Sequence, residues 1–340
     1  MTELSTLPEQ EKSLVEISNL RRWFPVQKNF LDQMLAQKID YVRAVDDVTF
    51  NIRQGEAFGL AGESGSGKST IGRLAIGLDK PTKGEVIFDG INLGKQSSEE
   101  LRKLRRRMQV IFQDPMASLN PRMTLGDAIM EGLRIHKPEL KQQHRDMVLT
   151  MMEKVGMTPP LFFFNKYPHQ ISGGQRQRVV IARALITQPD LILADEPIAM
   201  ADVSVRALLL DLMVQLKKEF NLTYLFITHD LATAKYICER IGILYLGKMM
   251  EMSDLHEVYG HPLHPYTQAL LAAVPVPDPH QRRTQPMPEG EIPNPINPPS
   301  GCRFHPRCPI AKEQCSQVEP VFRELRPGHF VACHFAEQNL

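Results

Sequence analysis

Short apolar runs, each ending on a polar residue, recur along the chain. The first, residues 57–61, leads into a glycine-rich stretch and a helical pattern, and three later runs end before Gln113, Asp195 and His229. Short apolar strands separated by helical stretches are typical of a parallel sheet covered on both faces. Ligands of such sheets bind beyond the carboxyl ends of the strands, where these polar residues would converge. The pattern therefore predicts an α/β fold with a site at that edge.

The remaining pattern predicts three further parts. Residues from about 97 to 185 have mostly helical periodicity and predict a helical lobe within a domain that covers residues 1–270. Residues 271–299 are predicted to form a linker, because nine prolines between positions 275 and 299 favour extended backbone. Residues 300–340 are predicted to form a small extension, which carries four of the five cysteines.

Composition indicates what the protein does not do, but it does not indicate a function. The 340 residues carry 40 Lys and Arg against 39 Asp and Glu, so no net positive field points to a nucleic acid. No apolar run approaches the ~18 residues that would span a bilayer, and the first residues lack the layout of a secretory signal. We therefore expect a soluble, cytoplasmic protein without a nucleic-acid partner, which reaches a membrane only through another protein.

The glycine-rich stretch is a complete phosphate-binding motif. Gly62–Ser69 matches the pattern GxxxxGK[ST] between a predicted strand and a predicted helix, the context that this motif requires. Its glycines let backbone N–H groups turn towards phosphates, while Lys68 would neutralise the outer phosphates and Ser69 would bind Mg²⁺. The residues expected to bind ATP here are Gly62, Ser64, Gly65, Ser66, Gly67, Lys68, Ser69 and Thr70.

Two adjacent carboxylates follow the third apolar run. Asp195 closes that strand and Glu196 comes next, so their side chains point in different directions. Alone, such a pair is more often part of a turn than of a site. Downstream of a complete phosphate loop, we expect Asp195 to bind Mg²⁺ and Glu196 to face the attacking water.

A further motif, Ile171–Gln175, points to a family. It resembles the LSGGQ signature of ABC ATPases, with Ile171 in place of leucine. Other segments resemble that family's motifs in the same order, within about residues 15–270: the Q-loop at Gln113, the Walker B pair Asp195–Glu196, the D-loop at Asp202 and the switch histidine His229. The chain is identified as a member of this family.

The resemblance implies an ABC-type P-loop core of the α/β class with a helical subdomain, and a head-to-tail dimer with two ATP molecules at its interface. Glu196 would polarise the attacking water and His229 would contact the γ-phosphate. Gln113 would be the third catalytic residue and would sense the γ-phosphate. With Ser69 and Asp195, it would also bind Mg²⁺. Each ATP would also meet the signature and D-loop of the opposite subunit, through Ser172, Gly173, Gly174, Gln175 and Asp202.

The D-loop departs from the family pattern. The family's D-loop usually reads Ser-Ala-Leu-Asp, whereas the segment Ala199–Asp202 begins with alanine in place of the serine. Losing that hydroxyl removes one hydrogen bond across the dimer, worth ~1 kcal/mol net. We therefore hypothesise two unequal ATP sites and a second, homologous ATPase subunit as the partner, although pairing of identical chains stays open.

The adenine ring needs an aromatic platform upstream of the phosphate loop. Phe24 and Tyr41 both qualify, because the segment between them resembles an insertion. Each could equally be a core aromatic, and the sequence ranks the two alike.

Two further segments indicate one subfamily of the ABC ATPases. Gln113–Arg122 and His261–Tyr266 resemble the oligopeptide/dipeptide importer ATPases, as does the cysteine-bearing tail. That resemblance implies import driven by ATP through two integral membrane permease subunits, fed by an extracytoplasmic solute-binding protein. The chain would lie peripherally on the cytoplasmic face of the inner membrane, with the loop after Gln113 helping to receive the permease. The solute (dipeptide, oligopeptide, nickel or oligosaccharide) stays open. The alternative is a soluble ABC ATPase that acts on nucleic acid or as a regulator.

Four cysteines of the tail, Cys302, Cys308, Cys315 and Cys333, are separated by five, six and seventeen residues. A reducing cytoplasm disfavours disulfides, and no CxxC pair supports zinc. The spacing alone leaves zinc, an iron–sulfur cluster and free thiols open. Similar tails in dipeptide-importer ATPases carry a [4Fe–4S] cluster, so the resemblance implies that these four cysteines bind one.

Overall fold

A computed structural model describes residues 12–26, 39–274 and 290–339. Its strands are β1 (Ser13–Pro25), β2 (Tyr41–Arg53), β3 (Ala57–Ala61), β4 (Lys83–Phe88), β5 (Ile91–Asn92), β6 (Met108–Ile111), β7 (Leu191–Asp195), β8 (Thr223–Ile227), β9 (Arg240–Tyr245), β10 (Lys248–Asp254), β11 (Arg323–Arg326) and β12 (His329–Val331). Its α-helices are α1 (Lys68–Ala75), α2 (Ser98–Leu104), α3 (Pro115–Ser118), α4 (Leu125–His136), α5 (His144–Lys154), α6 (Pro160–Phe164), α7 (Gly173–Leu185), α8 (Val203–Phe220), α9 (Leu231–Ile237), α10 (Leu255–Gly260), α11 (Pro265–Ala272) and α12 (Glu313–Gln317).

The larger sheet has the strand order β11-β12-β10-β9-β3-β8-β7-β6 within the described residues. The strands from β9 to β6 run parallel, and β10, β12 and β11 continue the sheet antiparallel. The predicted parallel sheet is confirmed for its central strands, whereas the antiparallel edge was not predicted. Parallel strands end at one edge, so β3, β6, β7 and β8 bring the phosphate loop, Gln113, Asp195 and His229 together there.

Alternate residues of the central strands enter two separate hydrophobic cores. In β8, Tyr224 and Phe226 belong to one core, and Leu225 and Ile227 belong to the other. The first core also takes apolar residues of α7, α8 and α9, and the second takes those of α1, β1, β2 and β4. Both faces of the sheet are therefore covered, as the uninterrupted apolar runs predict.

A second sheet, of order β2-β1-β4-β5, is antiparallel and was not predicted from the sequence. Its long strands β1 and β2 pair with four interruptions of register. Each interruption shifts the two-residue alternation of buried and exposed positions on which strand prediction depends. The sheet buries its apolar residues against α1 and the larger sheet, and so completes the second core.

The helical segment beside the larger sheet begins later than the sequence suggested. The predicted lobe of about residues 97–185 includes β6, which pairs with β7 in the larger sheet. Helices α3 to α7 follow, with α4 packed against both α5 and α7. Helix α2 precedes β6, and its first turn is fixed by a capping box between Ser97 and Glu100. None of the helices in the described ranges is both long enough and apolar enough to cross a membrane.

The cysteine-bearing extension shares the larger sheet, because β12 pairs with β10. Beside that pairing, the fully buried Glu251 carboxylate accepts hydrogen bonds from the backbone N–H groups of Leu263 and His264 and lies 2.7 Å from Nε2 of His329. These contacts fix the extension to α11 and the sheet. Of the predicted proline-rich linker, residues 275–289 lie outside the described residues.

We predict that Leu225→Ala lowers the free energy of unfolding by about 2–5 kcal/mol, because Leu225 is fully buried and the substitution leaves a cavity in the second core. The control is Leu208→Ala on α8, where the leucine is 56% exposed and the expected change is below about 0.5 kcal/mol. The measurement is urea unfolding of both variants. Equal losses of stability would contradict the assignment of Leu225 to the core.

Candidate functional site

The phosphate loop connects β3 to α1 and lies against two other backbone segments. Gly62 and Gly67 have φ values of +145° and +104°. A Cβ atom would stand 2.1 Å from the Leu244 carbonyl oxygen at Gly62, and 2.2 Å from the Ala44 carbonyl oxygen at Gly67. Both positions therefore require glycine, for conformation and for space. The other predicted loop residues line the same turn, with Ser66 buried, Thr70 half-buried, and Ser64, Gly65 and Ser69 exposed.

The Lys68 side chain is buried and hydrogen-bonded to the phosphate loop. Its Nζ donates hydrogen bonds to the carbonyl oxygens of Gly62 at 2.7 Å and Glu63 at 2.8 Å, and to the Ser66 hydroxyl at 3.3 Å. Burial lowers the pKa of Lys68, while the nearby carboxylates of Glu196 and Asp195 act in the opposite direction. The ammonium group thus stands where it can exchange carbonyl partners for phosphate oxygens.

Asp195 and Ser69 form an oxygen-rich pair at the edge of the sheet. The Ser69 hydroxyl donates a hydrogen bond of 3.0 Å to the Asp195 carboxylate. Burial raises the pKa of Asp195, and the bond from Ser69 lowers it. A hydroxyl and a carboxylate side by side are ligands of the kind that Mg²⁺ prefers, so the residues fit this ion.

Glu196 is bonded to both of the other predicted catalytic side chains. Gln113 Nε2 donates to one carboxylate oxygen at 3.0 Å, and His229 Nδ1 lies 3.0 Å from the other. The backbone of Glu196 is left-handed, with φ +47°, so the chain bends sharply after Asp195. The two adjacent carboxylates consequently face different partners, as the sequence predicts. The structure thereby brings Gln113, Glu196 and His229 into one cluster.

The signature segment stands at the start of α7. Ser172 and Gln175 form a capping box, in which the Ser172 hydroxyl accepts from Gln175 N–H at 3.3 Å and the Gln175 side chain accepts from Ser172 N–H at 3.0 Å. Gly174 lies against α8, where a Cβ would stand 2.7 Å from Val205, and Gly173 is exposed. In the described part of the chain, no hydrogen bond joins this segment to the phosphate loop of the same chain.

The D-loop is held by a residue that the sequence analysis missed. Arg206 donates hydrogen bonds to the carbonyl oxygens of Ala201 at 2.9 Å and Ala199 at 3.3 Å. Asp202 is exposed and precedes α8 without a capping bond from its side chain. Arg206 stands one helical turn after Asp202, which is the only hint that the sequence offers.

The two candidate adenine platforms lie on neighbouring strands. Phe24 pairs with Val42, and Tyr41 pairs with Pro25, at the same end of the β1–β2 ladder. The Arg22 guanidinium lies 4.4 Å from the centre of the Phe24 ring, whereas Tyr41 is exposed. Tyr41 is also three residues from Ala44, whose carbonyl oxygen lies close to Gly67 of the phosphate loop.

The four cysteines of the extension line one small cavity with aromatic and histidine side chains. Burial raises the pKa of Cys302 to about 12 and that of Cys308 to about 11. Cys315 is buried and Cys333 half-buried, and none of the cysteines in the described residues forms a disulfide. Across residues 12–26, 39–274 and 290–339, no group of three or more His, Cys, Asp or Glu side chains is arranged to hold a metal ion. The four thiols are therefore brought to one cavity, but these described residues form no metal site, and the expected iron–sulfur cluster stays a prediction.

Comparison with known proteins agrees with this geometry. The chain matches the ABC transporter family over residues 45–199 and the oligopeptide/dipeptide transporter C-terminal region over residues 250–315. It is 47% identical to the oligopeptide transport ATP-binding protein AppF of Bacillus subtilis, over 95% of this chain and 98% of that protein. It is 48% identical to the oligopeptide transport ATP-binding protein OppF of Salmonella typhimurium, over 97% of this chain and 98% of that protein.

Solved structures show the same fold. The dimeric post-hydrolysis state of the ATP-binding cassette MJ0796, bound to ADP and Pi, matches with a TM-score of 0.61 and 32% identity, over 71% of this chain and 98% of that one. CbiO1 of Clostridium perfringens, part of the transporter complex cbiONQ, matches with a TM-score of 0.62 and 25% identity, over 74% and 92%. The predicted ABC-type ATPase fold is confirmed.

The chain belongs to the ATP-binding proteins of ABC transporters, and its activity class is ATP hydrolysis. Within that family it carries the C-terminal region of the oligopeptide/dipeptide transporters. Both family matches confirm the resemblance predicted from the sequence motifs.

We predict that Gly67→Ala weakens ATP binding roughly tenfold or more, because the left-handed backbone and the contact with Ala44 together cost at least about 1–3 kcal/mol in the binding conformation. The control is Gly90→Ala in the turn between β4 and β5, where φ is +78° and no atom lies within 4 Å. Titration with a fluorescent ATP analogue compares the two. Similar affinities would mean that the close approach at Gly67 does not shape the loop.

Proposed function

We propose that this chain is the ATP-hydrolysing subunit of a peptide-type importer, which couples ATP binding and hydrolysis to uptake of a solute through a membrane permease. The observation that carries the proposal is the cluster of Gln113, Glu196 and His229 beside the phosphate loop, in a chain with the C-terminal region of peptide transporters. The comparisons give no support to the alternative of an ABC ATPase that acts on nucleic acid.

Glu196 is proposed as the base that polarises the attacking water. Its two carboxylate oxygens are oriented by Gln113 and His229, so one of them can accept a proton from a water held beside the γ-phosphate. His229, whose side chain is 60% exposed, can turn to donate a hydrogen bond to that phosphate. Lys68 would neutralise charge on the outer phosphates.

Mg²⁺ bound to ATP would neutralise charge on the outer phosphates. Ser69 and Asp195 are proposed to hold it, because their oxygens already stand 3.0 Å apart. Gln113 can add its side-chain oxygen, because only its nitrogen is used in the bond to Glu196. Aromatic contact with adenine is assigned to Tyr41 or Phe24, both at the end of the β1–β2 ladder.

A second ATPase subunit is proposed to complete each site. The exposed start of α7, with Ser172, Gly173, Gly174 and Gln175, offers N–H groups and the positive end of a helix to a γ-phosphate bound on the partner. Asp202 of the exposed D-loop would meet the same interface. Ala199 in place of the usual serine favours a heterodimer with a homologous ATPase that carries the hydroxyl.

The permease is proposed to contact the helical segment that follows Gln113. Met116 in this segment and Phe112 directly before Gln113 are apolar but exposed. Exposed apolar side chains of this kind favour a protein partner. The proposed assembly has two integral permease subunits, takes solute from an extracytoplasmic binding protein, and lies on the cytoplasmic face of the inner membrane. The solute class, peptide, is taken from the names of the relatives.

A [4Fe–4S] cluster on Cys302, Cys308, Cys315 and Cys333 is proposed as a structural group of the extension. Its support is that the four thiols line one cavity. A four-iron cluster is larger than a single ion and needs its thiolates further apart, so an arrangement unsuited to one metal ion does not oppose it. The raised thiol pKa values belong to the metal-free chain, and binding of iron would deprotonate these thiols.

We predict that Glu196→Gln lowers both ATP hydrolysis and peptide uptake by about 10²-fold or more, because a carboxamide cannot act as the base. The full chain is reconstituted in proteoliposomes with its permease and partner ATPase, and hydrolysis and uptake of a labelled oligopeptide are measured together. The control is Glu219→Gln on the surface of α8, which should leave both rates unchanged. Normal hydrolysis in Glu196→Gln would exclude the proposed base. ATP-driven uptake of nickel or an oligosaccharide, but not of peptides, would exclude the solute class.

We predict that the chain purified without oxygen contains about four iron atoms and absorbs visible light, and that Cys308→Ser lowers the iron content. Iron, sulfide and zinc analysis with an absorption spectrum is the measurement. The control is Cys238→Ala, since Cys238 is buried but does not line the cavity that the four thiols share. Near-stoichiometric zinc without iron, or no metal at all, would contradict the cluster.

A further inference from the structure

The phosphate loop is bonded to the C-terminal extension, a contact that the ATPase chemistry above does not use. Arg307 of the extension donates two hydrogen bonds to the Glu63 carboxylate, at 2.7 and 3.0 Å. Glu63 is the second residue of the phosphate loop, and 244 positions separate it from Arg307. A guanidinium that bonds both oxygens of a carboxylate fixes the orientation of both side chains.

The pair is well shielded from solvent. The Arg307 side chain is 7% exposed and that of Glu63 is 21% exposed. The guanidinium lies 5.8 Å from the centre of the Tyr245 ring and 6.0 Å from that of Phe304. The contact with Glu63 also raises the pKa of Arg307. Shielding of this kind strengthens the attraction and limits the freedom of the arginine.

Glu63 also contacts Lys68, the residue proposed to bind the outer phosphates. Its carbonyl oxygen accepts a hydrogen bond of 2.8 Å from Lys68 Nζ, and its backbone N–H donates one of 2.9 Å to the Tyr266 hydroxyl. Tyr266 lies on α11, just before the predicted linker. The first turn of the phosphate loop is therefore held by the extension and α11 on one side and by Lys68 on the other.

A second arginine of the extension supports the other side of the loop. Arg303 is buried and donates hydrogen bonds to the Leu246 carbonyl oxygen and to the Asp46 carboxylate. The next residue, Gly247, donates its N–H to the Ser66 carbonyl oxygen at 2.9 Å. Arg303 directly follows Cys302, and Arg307 directly precedes Cys308. The backbone that carries these two thiols therefore also carries both contacts to the loop.

Charge gives the Arg307 contact a role in nucleotide binding. ATP brings several negative charges to the loop that contains Glu63, and an unpaired carboxylate there would repel them. We propose that Arg307 is a positioning residue for ATP: it neutralises Glu63 and holds the first turn of the phosphate loop, so that the affinity for ATP depends on the seating of the cysteine-bearing extension. The proposal rests on the ATPase function proposed above.

The coupling must act in both directions. If the seated extension strengthens ATP binding, ATP must strengthen the seating of the extension by the same factor. Bound ATP should therefore slow amide hydrogen exchange in residues 302–308, although these residues are not proposed to touch the nucleotide. Removal of the Arg307 guanidinium should abolish this slowing of exchange. Substitution of a residue that only stabilises the fold would leave the slowing in place.

The test measures the dissociation constant of Mg-ATP with the purified full chain. We expect Arg307→Ala to raise it about tenfold and Arg307→Lys to restore part of the loss, because lysine returns the charge without the second hydrogen bond. In a Glu63→Gln background, the additional effect of Arg307→Ala should be much smaller, since the repelling carboxylate is already gone. The control is Arg323→Ala, which breaks an exposed pair with Glu337 in the same extension and should leave the affinity unchanged.

Three results would overturn the proposal: unchanged ATP affinity in Arg307→Ala, an equal loss with and without Glu63→Gln, or hydrogen exchange at 302–308 that does not respond to ATP in the unsubstituted chain. If Arg307→Ala does not fold, Arg307→Lys and the exchange experiment decide the question alone. Failure of the unsubstituted chain to bind ATP at all would instead contradict the proposed function, and the two failures are thereby distinguishable.

Discussion

The phosphate loop depends on backbone segments that approach it where no side chain fits. Gly62 meets the carbonyl oxygen of Leu244, and Gly67 meets that of Ala44. These contacts come from the end of β9 and from β2, so both sheets must be assembled before the loop has its shape. The larger sheet contacts the loop through β9, and the smaller sheet contacts it through β2. Binding of a triphosphate is in this sense a property of the whole fold.

Charge in the site is balanced by a small number of contacts. Three carboxylates, those of Glu63, Asp195 and Glu196, stand near the position where phosphates would bind, and each has a partner: Arg307, Ser69, and the Gln113–His229 pair. Lys68 is the central cation: burial lowers its pKa, and all three of these carboxylates act in the opposite direction. Such a site is prepared for Mg-ATP, which brings both a cation for Asp195 and anionic oxygens for Lys68.

Much of the site could be predicted because its residues follow strands of one parallel sheet. Apolar runs ending before Gln113, Asp195 and His229 place these side chains at one edge by topology alone, and the structure brings them together. The signature at Ser172 was found through a resemblance, and its capping box is a local feature that the sequence contains. For these parts, short-range pattern and chain topology carry enough information.

The missed features have no local signal. The Arg307–Glu63 pair joins residues 244 positions apart, and nothing in the pattern around either residue identifies its partner. The smaller sheet escaped prediction because interruptions of register disturb the alternation in β1 and β2. Strands β11 and β12 of the antiparallel edge were missed because they are short, with four and three residues. Long-range pairing of this kind is decided by packing, which a single sequence does not display.

We propose that ATP is enclosed by two subunits, with the phosphate loop of one facing the signature of the other. The most direct test is a structure of the Glu196→Gln assembly trapped with Mg-ATP. We expect the N–H groups at Ser172–Gly174 of each subunit to lie within hydrogen-bond distance of a γ-phosphate held by Lys68 of its partner. A trapped state in which these residues lie far from every triphosphate would contradict it.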